Sequence, residues 1–232
     1  MTIPQTATGA IETIKNLLPN EIVVAGCMAQ DNIKALYKEE EAYTITFAKE
    51  RRLEFALGRH CARRALAALG QAAVPIPIGD NRAPVWPKGF VGSITHTEGC
   101  SLAAVTSTFF YKSIGIDVEY LDAVDKNGYR IVLTEQEYAY VDNVYTPFFY
   151  GTLIFSIKEC IYKCCNPIMK EFIDFQDVEV KVDWVHNKFQ ATIINTSLPT
   201  IYGCETFMGR FSIDTQFVYT TLLLSRECQI ER

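Results

Sequence analysis

The stretch Gly115-Ile116-Asp117-Val118-Glu119 reads as a strand in which successive side chains point to opposite faces. Asp117 and Glu119 therefore leave the same side, with Val118 turned into the core. Further along the chain, Ser156-Ile157-Lys158-Glu159-Cys160-Ile161-Tyr162-Lys163 reads as a helix. Helix positions four apart lie one above the other, so Glu159 and Lys163 share a face and Lys158 flanks it. Together the two segments offer three carboxylates and two amines to one site.

That set suits magnesium and phosphate. Magnesium wants octahedral oxygen coordination, takes few protein carboxylates and leaves positions for water and substrate phosphates. The pattern does not suit zinc or a redox metal, because His60, His96 and His186 lie far apart in the chain and no cysteine pair has ligand spacing. Each motif alone also has an ordinary explanation. Asp-x-Glu closes many solvated strands, and a Glu-to-Lys pair adds about 0.2–0.5 kcal/mol to any surface helix.

Two upstream segments extend the pattern. Lys49 to Leu69, rich in Ala, Leu, Arg and Glu, reads as a helix containing Gly58-Arg59-His60-Cys61-Ala62-Arg63. Between Lys49 and Arg64 it carries Lys49, Arg51, Arg52, Arg59, Arg63 and Arg64 against Glu50 and Glu54, a basic patch on an acidic chain. Such a patch points to a local anionic partner or to a solvated face. The second segment runs Asn81-Arg82-Ala83-Pro84-Val85-Trp86-Pro87 to Gly92-Ser93-Ile94-Thr95-His96, a rigid loop leading into a strand. Alternation there turns Ser93 and Thr95 one way and Ile94 and His96 the other.

In this order, Gly-Arg-His-Cys-Ala-Arg, Asn-Arg-Ala-Pro-Val-Trp-Pro with Gly-Ser-Ile-Thr-His, Gly-Ile-Asp-Val-Glu and Phe-Ser-Ile-Lys-Glu-Cys-Ile-Tyr-Lys, the segments resemble the 4′-phosphopantetheinyl transferases. The likeness is to the large surfactin- and enterobactin-synthase type, over roughly residues 51 to 165. It implies Mg-dependent transfer of the 4′-phosphopantetheine arm of coenzyme A to a serine of an acyl or peptidyl carrier protein, with release of adenosine 3′,5′-bisphosphate. It also implies that Asp117, Glu119 and Glu159 hold magnesium and that Lys163 and Lys158 offset phosphate charge, Lys163 being favoured. Glu159 or a magnesium-bound water takes the serine proton, two alternatives the residues leave open. Arg59, Arg63 and Arg82 would meet the adenosine bisphosphate end of coenzyme A, and Thr95 with His96 its 3′-phosphate. Arg64, about 100° around the helix from Arg63, is left for carrier docking. A coenzyme A-binding or carrier-binding protein without transferase activity is the alternative.

The chain departs from the resembled pattern in three places. Thr95 stands where a serine is common and keeps the hydroxyl. Cys160, Cys164 and Cys165 stand on one helix and read as buried thiols, since helix neighbours seldom reach disulfide geometry. Tyr145-Thr146-Pro147-Phe148-Phe149-Tyr150 is an aromatic connector, expected to cover a carrier groove or simply to pack.

The 232 residues, 49% hydrophobic, are enough for one large core or two smaller ones. A net charge of −5 without a recurring basic, aromatic stripe argues against nucleic acid. No leader-like or membrane-length apolar run is present, and the eight cysteines lack a disulfide framework, so a cytoplasmic protein with free thiols is expected. Helices are expected near 10–18, 49–69, 134–142 and 151–165, the third capped by Thr134 with Glu137. Strands are expected at 43–47, 90–95, 101–106, 113–119, 178–183, 188–194 and 217–224, an α+β pattern. The resemblance implies a pseudodimer of two similar halves, residues 1–117 with the nucleotide contacts and 118–232 with the magnesium helix, the site lying between them. A chain holding both halves points to a monomer. Residues 1–50 and 166–232 carry no motif.

Overall fold

A computed structural model describes residues 7–79, 82–97, 99–143 and 147–225. In chain order these form α1 (Ala7–Leu17), β1 (Val23–Met28), α2 (Lys38–Glu41), α3 (Lys49–Ala68), β2 (Phe90–Thr97), β3 (Cys100–Ser107) and β4 (Tyr111–Tyr120). There follow α4 (Tyr129–Val132), α5 (Glu135–Asn143), α6 (Tyr150–Met169), β5 (Val178–Asp183), β6 (Lys188–Ile193), β7 (Thr206–Ile213) and β8 (Phe217–Ser225). The α+β expectation holds. Two antiparallel sheets, ordered β1-β3-β2 and β4-β8-β7-β6-β5, each carry one 20-residue helix, α3 on the first and α6 on the second.

Helix α3 forms because its Ala, Leu and Arg residues lose little freedom in a helix, and its stripe of Leu57, Cys61, Ala62, Ala65 and Leu66 packs on Ala25, Cys27, Ala103 and Val105. Gly58 lets it approach closely, since a Cβ there would sit 2.8 Å from Ile94. Helix α6 is buried nearly all round and packs Leu153, Ile154, Ile157, Cys160, Ile161 and Cys164 against β4 to β8. Its seat on β4 depends on Gly115, where a Cβ would lie 2.1 Å from the Cys160 carbonyl oxygen. A third core joins Ile14 and Leu18 near α1 to Leu102, Ile116, Val118 and Tyr219, so α1 closes the face of β4 opposite Asp117.

Strand β4 runs beside β2, yet the two belong to different sheets. Hydroxyls bridge this seam: Ile116 N donates to Ser93 Oγ at 3.1 Å, and Thr95 Oγ1 donates to Asp117 Oδ1 at 2.9 Å.

Several elements differ from expectation. The strand expected at 43–47 is instead a 3-10 turn, Ala42–Thr44, tied by Thr44 Oγ1 to the Glu41 carbonyl. Strands β1 and β7 and helix α4 were not foreseen, and α6 runs through Pro167 to Met169 before Lys170 ends it in a left-handed conformation. The Thr134–Glu137 capping box is present in both directions, at 2.8 and 3.3 Å. Cys27, Cys61, Cys100, Cys160, Cys164 and Cys165 are free and buried, as expected, whereas Cys204 is disulfide-bonded and corrects the expectation for that residue. No helix among the described residues is long and apolar enough to cross a membrane.

Candidate active site

Side-chain alternation along β4 turns Gly115, Asp117 and Glu119 towards α6. Gly115 admits the helix, and one turn of α6 then presents Glu159 and Lys163 to the two carboxylates. The Lys163 ammonium forms an ion pair with Asp117 and stands 3.9 Å from Glu159, so the shared face expected of positions 159 and 163 is present. Asp117 is fully buried. Its Oδ1 accepts from Thr95 and Lys163, while Oδ2 is buried without a hydrogen-bond partner.

Three carboxylates around one ammonium leave an excess of negative charge in a poorly solvated place. Burial, reinforced by Asp117, pushes the Glu119 carboxyl up to about 8, and burial likewise raises Glu159. Burial works against the Lys163 ammonium, but Asp117 and Glu159 outweigh it and hold its pKa above the usual lysine value. Among the described residues no three His, Cys, Asp or Glu side chains are gathered as a metal-holding group, and Lys163 lies between Asp117 and Glu159. The donor chemistry nevertheless fits magnesium: all three donors are carboxylates, one oxygen of Asp117 is an orphan, and a dication would relieve the charge that raises Glu119 and Glu159.

Glu119, Glu159 and Lys163 open onto a cleft of about 1080 Å³ that is also lined by Arg51, Arg59, Arg82 and His96. Arg59 is held by its Nε–H to the Ile76 carbonyl at 2.7 Å and lies 4.2 Å over the Phe55 ring; burial lowers its pKa to about 10, which still leaves it charged at neutral pH. His96 Nε2 stands 2.7 Å from Arg51 and 3.0 Å from Glu54, with burial holding its pKa below the usual value. Arg82 has φ 64 and lines the cleft with Tyr162 of α6.

Not every expected residue comes to this place. Arg63 is drawn inward, bonding both carboxylate oxygens of the buried Glu40 at 2.6 and 2.8 Å, and it does not line the cleft. The reason is helical drift: a spacing of four overshoots a 3.6-residue turn by ~40° per step, so the row Arg51, Phe55, Arg59, Arg63 rotates from the cleft into the interior. Arg64, left for docking, donates to the Gly26 carbonyl at 2.9 Å. Lys158 does not bring its amine to the carboxylates. It is buried and donates at 2.8 Å each to the Val132 carbonyl, Glu137 Oε2 and the Phe175 carbonyl, with burial lowering its pKa against the pull of Glu137. Thr95 is turned from the cleft towards Asp117, so it and His96 face different neighbours, as their alternation requires. The aromatic connector is described only from Pro147, since Tyr145 and Thr146 lie outside the described residues; Phe148 is exposed and Phe149 packs edge-on against Trp184.

Arg51 was counted in the basic helix but not assigned to the site. Its place eight before Arg59, on the same row, was the available signal. Glu40 and Glu137, which restrain Arg63 and Lys158, had no such signal, because both pairings are long-range.

Residues 39–106 match the 4′-phosphopantetheinyl transferase N-terminal domain, and residues 113–213 match the 4′-phosphopantetheinyl transferase superfamily. Over 90% of its length the chain is 31% identical to the 4′-phosphopantetheinyl transferase Npt of Nocardia iowensis, covering 98% of that protein. It is 30% identical to the 4′-phosphopantetheinyl transferase PptT of Mycobacterium tuberculosis over 80% of this chain and 85% of that one. It is also 33% identical to enterobactin synthase component D of Escherichia coli over 55% of this chain and 62% of that one.

Proposed function

Because the chain belongs to the 4′-phosphopantetheinyl transferase superfamily, we propose that it moves the phosphopantetheine arm of coenzyme A onto a serine of an acyl or peptidyl carrier protein, in a magnesium-dependent reaction that releases adenosine 3′,5′-bisphosphate. The observation that carries the finer reading is the meeting of Asp117, Glu119, Glu159 and Lys163 beside a cleft that Arg51, Arg59, Arg82 and His96 also line. Asp117, Glu119 and Glu159 would hold the magnesium, which supplies charge neutralisation for the diphosphate of coenzyme A.

The remaining chemistry belongs to the side chains. Arg51, Arg59, Arg82 and His96 bind the adenosine bisphosphate end, guanidinium groups being suited to phosphate by their forked donors and permanent charge. Lys163 balances the carboxylates and faces the charge that develops as the phosphoanhydride bond breaks. Glu159, partly exposed at the cleft, would accept the proton of the carrier serine as its oxygen bonds to phosphorus. The leaving adenosine bisphosphate keeps the electrons of the broken bond.

The division into residues 1–117, with the nucleotide contacts, and residues 118–232, with the metal-holding helix, is part of the same proposal. So are a monomeric state, supported by one chain carrying both walls of the cleft, and a cytoplasmic location. Chromatographic detection of adenosine 3′,5′-bisphosphate tests the reaction. Its release should require coenzyme A, an apo carrier and magnesium together, and release without a carrier would contradict it.

A further inference from the structure

Resting on that reading of the carboxylates, we propose that Thr95 is a positioning residue for Asp117 rather than a ligand of the 3′-phosphate of coenzyme A. The seam between β2 and β4 joins two different sheets, so the placement of Asp117 relative to the first sheet depends on local bridges. Two hydroxyls provide them, Ser93 Oγ accepting from Ile116 N at 3.1 Å and Thr95 Oγ1 donating to Asp117 Oδ1 at 2.9 Å. Thr95 is 1% exposed and does not line the cleft, and its hydroxyl also accepts from Lys163 Nζ at 3.4 Å, so it braces both members of the Asp117–Lys163 pair.

The bond has a chemical consequence. A carboxylate whose Oδ1 is engaged by a fixed hydroxyl and by Lys163 cannot turn freely, and its other oxygen, Oδ2, is left buried with no partner. That oxygen is the one available to a cation. Groups that orient a ligating carboxylate in this way change metal affinity by about 10–100-fold when removed. The β-branch of Thr95 narrows its χ1 choices within the strand, so the hydroxyl is held where serine would rotate more freely.

The test uses Thr95→Val, which keeps the shape and removes the hydroxyl, and Thr95→Ser, which keeps the hydroxyl. Lys163 still bonds Asp117 Oδ1 in both, and thermal melting checks that each folds. Manganese binding to the purified full chain is followed by electron paramagnetic resonance, and transfer to an apo carrier is measured against magnesium concentration with coenzyme A and with 3′-dephospho-coenzyme A. Thr95→Val should weaken manganese binding about 10-fold or more and raise the magnesium requirement equally with both substrates, with Thr95→Ser close to the parent. Unchanged manganese binding, or a KM that rises for coenzyme A and not for its dephospho form, overturns the proposal. So does a parent chain that binds no manganese. A parent that binds manganese but transfers nothing sinks the transferase reading alone, and the difference between parent and Thr95→Val in manganese binding still decides the role of Thr95.

Discussion

Asp117 concentrates the account at the residue scale: it is fully buried, engaged on one oxygen and orphaned on the other. Asp117→Ala should lower the transfer rate by about 100-fold or more at limiting magnesium, a loss typical of removing one preorganised electrostatic group; a rate equal to the parent's would exclude it from the site. Glu119 gives a pH prediction for the chain in chelator. Its carboxyl, at about 8 in the fold against 4.5 when free, keeps a proton that the unfolded chain has lost between those values. Stability contributed by this group therefore falls as pH rises from 4.5 to 8, and Glu119→Gln should flatten that slope in denaturant titrations at a series of pH values. A slope identical in parent and variant would contradict the raised carboxyl. Asp117, Glu119, Glu159 and Lys163 were legible because each partnership is local to one strand or one helical turn, and only their meeting is long-range. The partner of Thr95 was not legible: alternation gave its face correctly, but Asp117, which its hydroxyl meets there, belongs to another strand.

At the scale of elements, the buried hub of Lys158 ties α6 to the end of α4, the start of α5 and the segment before β5. Glu137 accepts from Lys158, from Thr134 N at 2.8 Å and from Val180 N at 2.7 Å. Breaking such a pair strands a buried charge, so Glu137→Leu should cost about 3–5 kcal/mol in chemical denaturation, and combining it with Lys158→Met should cost less than the sum of the two single changes. Simple additivity of the two changes would show that the amine and carboxylate do not act as a pair. Gly115→Ala should cost about 1–3 kcal/mol and also slow transfer, because relief of the clash with the Cys160 carbonyl lifts the turn bearing Glu159 from β4; stability loss with unchanged transfer would contradict that link. The elements missed in the sequence share a physical cause. Val23–Met28 is a short apolar run buried on both faces, which periodicity cannot separate from core helix. Thr206–Ile213 alternates but is interrupted by Gly209, which is required because the Phe189 ring occupies the space of a Cβ. At Tyr43-Thr44-Ile45-Thr46-Phe47 the alternation was real, but the chain there closes on itself, Thr44 Oγ1 donating to the Glu41 carbonyl in a 3-10 turn.

At the scale of the whole molecule, two sheets each carrying a long helix bring Arg51 and Arg59 of α3 and Glu159 and Lys163 of α6 to one cleft. The two-part plan was legible through resemblance; the buried acids that take up Arg63 and Lys158, Glu40 and Glu137, were not, since both are distant in sequence. The three carboxylates make a specific demand: anionic substrate and divalent cation must be present together for Asp117, Glu119 and Glu159 to tolerate a diphosphate. Intact-mass spectrometry of an apo carrier protein incubated with the chain and coenzyme A, with magnesium or with chelator, tests that demand most directly. A mass gain of one phosphopantetheine that appears with magnesium and vanishes with chelator is the predicted result. A gain of the same size in chelator, or none across acyl and peptidyl carriers despite measurable coenzyme A binding, would contradict the account.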